Sequence, residues 1–209
     1  MKVSTVWATP EGEALVAYMA RVSNPANQDN KETAPKLIQY LIKNNHWSPM
    51  EMVNICMEIE TTRDIGRQIL RHRSFSFQEF SGRYASYDEL AEAPLRECRM
   101  QDTKNRQNSL NCEDADLVRS WDIRQDQVLS MTLRNYEWAL SRGIAKEQAR
   151  ALLPEGLTTS RMYMNGTLRS WLHYVAIRCD PATQKEHREV ALLCKQEIAK
   201  AFPSIVGSF

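Results

Sequence analysis

No two cysteines in this chain are spaced Cys-x-x-Cys; the five present (Cys56, Cys98, Cys112, Cys179 and Cys194) are odd in number and widely scattered. That excludes a disulfide framework and offers no zinc-ligand spacing. No signal peptide is evident and no apolar run approaches about eighteen residues, so a soluble, intracellular, cytoplasmic chain with no membrane contact is expected. No Gly-x-Gly-x-x-Gly turn sits in an alternating strand–helix series, which argues against a Rossmann mode of dinucleotide binding. Charge excess is missing as well: 27 basic and 26 acidic residues leave a net charge of +1. A nucleic-acid-binding surface normally carries a large basic excess, so no nucleic-acid partner is expected. No internal repeat is apparent. What is present is 209 residues with 43% hydrophobic content, enough for one domain with a real core.

Charge is concentrated locally instead. Residues 71–84 place Arg71, His72, Arg73, Ser74, Ser76, Glu79, Ser81 and Arg83 among aromatics and close at Gly82-Arg83-Tyr84. Arginine offers a planar fork of donors suited to phosphate at any working pH. Serine hydroxyls and a glycine backbone let an oxyanion approach closely, and flanking aromatics can stack on a flat heterocycle. Upstream, residues 61–70 read as a helix with a Thr61-x-x-Asp64 start. Arg63, Arg67 and Arg71 recur at i, i+4 and i+8, with Gln68 beside Arg71. Like charges so stacked cost stability unless an anion or an acidic partner relieves them, and an anionic ligand is the economical explanation. The competing reading is a nucleic-acid-binding module using Arg71, Arg73, Phe75 and Phe77; overall neutrality opposes it.

The rest of the chain reads as mixed helix and strand. Lys2–Ala8 alternates Val3, Thr5 and Trp7 against Lys2, Ser4 and Val6. Thr9-Pro10 should cap a helix with Leu15, Tyr18, Met19 and Val22 as its stripe. Thr33 opens a second, with Leu37, Ile38, Leu41 and Ile42 inward. The loop 44–52 holds His46, Ser48 and Glu51. Val53–Thr61 alternates as a half-buried strand. Residues 101–116 are almost wholly polar and read as a surface excursion after the loop that follows Tyr84. A long helix spans Leu117–Leu140, with Leu129, Leu133, Tyr136 and Leu140 on one face and Trp121 and Trp138 assigned to core or subunit packing; Gly143 ends it. Leu157–Asn165 reads as a strand and Asn165-Gly166 as a turn. Thr167 then caps a helix with Leu168, Trp171, Leu172, Val175 and Cys179 buried, leaving Arg169, His173 and Arg178 outside the stripe. Glu186–Ala201 is a last helix, stopped by Pro203. His46, Glu51 and His72 fit no recognised metal spacing, so no metal site is assigned.

Residues 71–84 resemble the signature of the flavin-dependent thymidylate synthases, R-H-R-x-x-S-x-N-E-x-S-x-R-Y, at every fixed position but one, where Gln78 replaces Asn. Residues 46–52 resemble the family's H-x-S/T-P-x-E-H, with Met52 in place of the last His. Residues 149–154 resemble its A-R-x-x-L-P, and Arg169, His173 and Arg178 before Asp180-Pro181 match its late region. The resemblance implies a single-domain α+β fold over residues 1–209, a sheet with flanking helices, assembled as a homotetramer with shared active sites. It implies methylene transfer from 5,10-methylenetetrahydrofolate to dUMP, with FAD as cofactor and NADPH as reductant, giving dTMP and tetrahydrofolate.

By the same resemblance, Arg178 and Ser81 take catalytic positions. The dUMP positions are Gln68, Arg71, Glu79, Ser81, Gly82, Arg83, Arg150 and Arg178. The FAD positions are Ser23, His46, Ser48, Glu51, Arg71, His72, Arg73, Glu79, Thr167, Arg169 and His173, where Thr167 stands for an Asn of some members. Arg178 matches the arginine that stabilises negative charge on the uracil ring. No cysteine lies in a motif or beside a plausible base, so catalysis by a thiolate is not expected.

Overall fold

A computed structural model describes residues 1–87 and 93–206. The central sheet has four antiparallel strands in the order β1 (Lys2–Ala8), β2 (Asn54–Thr62), β6 (Thr159–Thr167), β3 (Ser76–Glu79). A separate hairpin pairs β4 (Arg99–Gln101) with β5 (Ser109–Asn111). The helices are α1 (Gly12–Ala20), α2 (Ala34–Lys43), α3 (Arg63–Ile69), α4 (Ala115–Ser141), α5 (Lys146–Ala149), α6 (Leu168–Arg178) and α7 (Lys185–Ala201). The architecture is a single α+β domain with its helices flanking the sheet, as the sequence reading expects.

The core grows from period-two alternation on two paired strands. Ile55, Met57 and Ile59 on β2 and Met162 and Met164 on β6 are fully buried. Each such side chain contributes about 1.5–3 kcal/mol by leaving water. Against this face pack Trp171, Leu172 and Val175 of α6 and Val190, Ala191, Cys194 and Ile198 of α7. The Trp171 indole N–H donates to the Ile55 carbonyl at 3.0 Å, so the largest core side chain carries no unpaired polar group.

Several expectations are corrected. The β1 alternation breaks at a register shift between Thr5 and Trp7, which turns Trp7 outward to 46% exposure and Ala8 inward. Thr9 does not cap α1; its hydroxyl accepts from the Asn54 amide at 2.9 Å and donates to the Asn54 carbonyl, tying β1 to β2. The buried face of α1 is Gly12, Val16 and Ala17, while Tyr18, Met19 and Val22 are exposed. Helix α3 begins after Thr62, whose hydroxyl donates to Asp64 Oδ1 at 2.6 Å without capping the backbone.

Asn165 and Gly166 form no turn: both continue β6, opposite Cys56 and Ile55. The Phe75 ring lies against Gly166 so closely that a Cβ there would meet it at 2.4 Å. On α4 the buried positions are Gln125, Thr132, Tyr136 and Ala139, while Leu133, Trp121 and Trp138 are exposed, so neither tryptophan belongs to the core. On α6 it is Tyr174 that joins the fully buried set, with Cys179 only half-buried just past the helix end. Gly143 does end α4, with φ at +75°. Residues 101–116 hold β5, run into α4 and are mostly exposed. The loop expected after Tyr84 runs into residues 88–92, outside the described residues. Among the described residues no helix is long and apolar enough to cross a membrane.

Candidate active site

Three stretches far apart in sequence meet where α3 ends, where the 46–52 loop turns, and along the outer side of α6. The chain leaves α3 at Ile69 and reaches β3 at Ser76. In this connection His72 faces the end of α6, and Arg178 Nε donates to His72 Nε2 at 2.9 Å. The imidazole must therefore present a lone pair at Nε2 and is neutral. Burial, helped by the Arg178 charge, lowers its pKa to about 4. The ring also packs edge-on against Tyr174, with centroids 4.9 Å apart.

The 46–52 loop closes on the first half of α6. Glu51 pairs with Arg169, and Trp47 packs edge-on against His173 at 4.8 Å. Burial and the Arg169 charge lower the His173 pKa. Thr167 caps α6 by accepting from the Ser170 amide at 3.2 Å, and the Ser170 hydroxyl donates to the Ser74 carbonyl at 3.2 Å. His46 and Ser48 are exposed on the same loop, with the His46 ring against Tyr40. Arg71 and Arg73 are exposed, and neither guanidinium has an ion-pair partner among the described residues.

A second group gathers past β3. Gly82 is buried under the Tyr87 ring, where a Cβ would sit 2.3 Å from it, so only glycine allows this approach. Arg83 reaches Glu147 at 3.5 Å, and Arg150 Nε donates to the Glu147 carbonyl at 3.3 Å, placing both arginines at the short helix α5. The Arg83 amide faces the Ser81 hydroxyl at 3.5 Å. Glu79 accepts from the Ser160 hydroxyl at 2.9 Å and approaches α3 at Gly66. Gln68, on α3, donates to Gln184 at 2.7 Å and meets His187 at 3.1 Å.

Of the residues singled out from sequence, the structure thus brings Gln68, His72 and Arg178 to one end of α6, and Glu51, Arg169 and His173 to its other half. Ser81, Gly82, Arg83 and Arg150 form the second group. Ser23 is not brought in: it lies exposed in the turn after α1 with no hydrogen bond among the described residues. The arginine stripe is also partly reassigned. Arg63 and Arg67 both face Glu155, at 3.6 and 3.3 Å, so an acidic side chain of this chain relieves them. Arg71 lies beyond the helix end and has no ion-pair partner among the described residues. Of the two departures from the family pattern, Gln78 is exposed on β3 opposite Tyr163 and Met52 is 54% exposed.

Sequence reasoning missed His187 and Tyr174. His187 is fully buried on α7 and its Nε2 lies 3.1 Å from the Tyr174 hydroxyl. An i, i+3, i+4 count from Val190 and Ala191 would have flagged a histidine on the apolar face. Burial, then the Arg178 charge and the coupling to His72, hold its pKa down at about 3. No group of three or more potential metal-ligating side chains occurs among the described residues. Burial pushes the thiols of Cys56, Cys179 and Cys194 up, the reverse of what a nucleophilic thiolate needs.

The fold and this cluster define an α+β protein in which Arg178 at the end of one helix pairs with a neutral histidine, with unpaired guanidinium groups on the same connection as that histidine and a glycine-tight turn past β3, a set of donors suited to an anionic, flat-ringed ligand. The family model described as thymidylate synthase complementing protein matches residues 5–204. A flavin-dependent thymidylate synthase of Synechocystis sp. is 50% identical over 200 residues, covering 96% of this chain and 89% of the relative. A probable flavin-dependent thymidylate synthase of Paramecium bursaria Chlorella virus 1 is 47% identical, covering 92% and 88%. The chain belongs to the flavin-dependent thymidylate synthase family. Its fold is similar to that of a solved UMP/dUMP methylase from Streptomyces cacaoi, with a TM-score of 0.84, 24% identity, and coverage of 100% of this chain and 93% of that one.

Proposed function

We propose that this enzyme converts dUMP to dTMP, taking the methylene carbon from 5,10-methylenetetrahydrofolate and releasing tetrahydrofolate. The observation that carries the reading is the convergence on α6 of three separate sequence motifs, through Glu51–Arg169, Trp47–His173 and His72–Arg178. FAD, reduced by NADPH, supplies the hydride that completes the methyl group. The donor set fits such a cofactor: Arg71 and Arg73 are exposed cations with no acidic partner among the described residues, and the 46–52 loop adds the exposed Ser48 hydroxyl. On this reading His46, Ser48, Glu51, His72, Arg73, Thr167, Arg169 and His173 hold FAD, with Arg71 and Glu79 between cofactor and nucleotide, and Ser23, outside this cluster in the single chain, reaches FAD from another subunit.

The nucleotide phosphate fits the second group. Ser81, the Gly82 backbone, Arg83 and Arg150 offer a hydroxyl, an amide and two forks, each charge-assisted bond being worth roughly 1.5–3 kcal/mol net. Gln68 meets the edge of the uracil ring, its amide both donating and accepting. Arg178, held by a neutral His72 and not by a carboxylate, keeps its full charge to stabilise a ring that becomes negative during reaction. A carboxylate in the place of His72 would have neutralised it. Ser81 takes its catalytic role beside the same nucleotide.

The same reading makes the protein a cytoplasmic homotetramer with active sites shared between subunits. Trp121, Ile123, Met131 and Trp138, all on α4 and between 39% and 56% exposed in the single chain, support packing against other subunits. The direct test is dTMP formation from dUMP, methylenetetrahydrofolate and NADPH by the FAD-loaded protein. No dTMP in a single turnover by flavin-loaded protein would reject the reading.

A further inference from the structure

The amide of Gln68 sits at the end of a hydrogen-bond chain whose direction is fixed from its far end. Glu186 on α7 is buried, 8% exposed, and takes Arg99 Nη2 at 2.7 and 2.8 Å on its two oxygens, with Arg96 at 3.4 Å. Burial opposes its charge, but its own amide, Gln184 and the two arginines outweigh burial and hold its pKa below the ordinary carboxylate value. An ionised carboxylate only accepts. The Gln184 side-chain nitrogen must therefore be the atom that faces Glu186, at 2.9 Å, and its oxygen must face Gln68.

Gln68 then has to turn its own nitrogen to Gln184, at 2.7 Å, and its oxygen to His187 Nδ1, at 3.1 Å. That oxygen needs a donor, so the His187 proton sits on Nδ1. Nε2 is left bare and accepts from the Tyr174 hydroxyl at 3.1 Å. His187 is completely buried, and burial with the Arg178 charge nearby keeps it neutral. Tyr174 is equally buried, and burial holds its hydroxyl protonated as a donor. Every link from Glu186 to Tyr174 has one permitted orientation. One N–H and one lone pair of the Gln68 amide remain for a ligand.

We propose that Gln184 and His187 are specificity-determining positioning residues, which hold the Gln68 amide from both of its polar atoms in one orientation so that the site accepts a uracil and rejects a cytosine. This rests on the reading of Gln68 as a contact to the pyrimidine ring. The two bases differ on the edge an amide reads: uracil offers an N–H donor beside carbonyl acceptors, whereas cytosine offers a bare nitrogen beside an amino donor. A glutamine free to rotate its amide by half a turn matches either pattern. A glutamine held from behind matches one, and the wrong base leaves buried polar groups unpaired.

The test compares dissociation constants of dUMP and dCMP, by titration calorimetry, for the full-length FAD-loaded protein and its variants. Wild type should prefer dUMP. His187→Leu should reduce the dUMP-to-dCMP preference about tenfold or more, the scale of one lost hydrogen bond with its partner stranded. His187→Asn, which keeps an N–H near the Nδ1 position, should retain most of the preference. Gln184→Leu, at an exposed position, removes the acceptor that holds the Gln68 nitrogen and should lower the preference too. It carries the test if His187→Leu fails to fold by its melting curve. A merely structural role would weaken both nucleotides equally. An unchanged ratio in folded His187→Leu, or in Gln184→Leu if that variant alone folds, overturns the proposal while leaving the site reading intact. A wild type that binds neither nucleotide, or both equally, overturns the site reading itself.

Discussion

Replacing Arg178 by alanine separates a structural arginine from a catalytic one, and the structure sets the scale of each. The helix-end position suggests capping of the last carbonyls, worth about 0.3–1 kcal/mol. The side chain instead reaches sideways to His72, at 2.9 Å across 106 residues of sequence. A hydrogen bond from a charged donor contributes roughly 1.5–3 kcal/mol net, which in a domain of this size means a fall in Tm of roughly 3–12 °C. Removing the guanidinium also removes a positive charge that depresses the His72 pKa, so that pKa should rise from about 4. FAD should stay bound, because Arg169, Arg71 and Arg73 are untouched. Turnover should fall far more than stability does, by roughly 100-fold or more, the scale for losing one electrostatic donor to a developing charge. Arg178→Lys should recover little, since a point charge cannot copy the fork. The assay is single-turnover dTMP formation at saturating dUMP and folate, alongside a melting curve and the His72 titration by NMR. Near-normal turnover in a folded Arg178→Ala protein would refute the catalytic role and reduce Arg178 to a partner of His72.

Three further outcomes are expected. Replacing all five cysteines by Ala or Ser, with folding verified, should leave dTMP formation measurable, because burial raises the thiol pKa at Cys56, Cys179 and Cys194; loss of activity on replacing one of the half-buried cysteines, with FAD and dUMP still bound, would contradict this. His187 titrates at about 3 in the folded chain against 6.5 as its ordinary value, so the unfolded chain binds the extra proton between those limits. Stability is therefore full above about pH 6.5 and falls on acidification, by roughly 2 kcal/mol at pH 5 from this group alone. Denaturant melts of wild type and His187→Leu over that range should show the acid loss shrinking in the variant, and parallel curves would refute the assignment. Gly166→Ala should destabilise by roughly 1–3 kcal/mol, since its Cβ would lie 2.4 Å from the Phe75 ring, itself packed on Trp171; an unchanged melt would show that the ring shifts freely.

Much of the fold was readable because the core strands alternate cleanly. The run Val53, Ile55, Met57, Ile59 needs no tertiary knowledge to be placed inward, and all four residues are fully buried. The errors fall where a distant residue overrides a local signal. Asn165-Gly166 looks like a turn because the dipeptide favours one, but the Phe75 ring, ninety-odd positions away in sequence, takes up the space beside Gly166. The arginine stripe on α3 looked like an anion site throughout, yet Glu155 answers Arg63 and Arg67, and no periodicity links a carboxylate 88 residues from Arg67 to that helix. Val22, Tyr18 and Met19 were read as a buried stripe because they are apolar; in the single chain they face outward. The site motifs were legible because their residue types are costly to bury or stack without a ligand. His187 and Tyr174 were not, because a histidine and a tyrosine on apolar helix faces carry no sign of whether they meet each other or solvent.

The absorption spectrum of the purified full-length protein, before and after dUMP is added, tests the central claim most directly. The account predicts a yellow protein with bound FAD, a flavin band perturbed by dUMP, and dTMP on adding methylenetetrahydrofolate and NADPH. A colourless protein that stays unbound when FAD is supplied would contradict it.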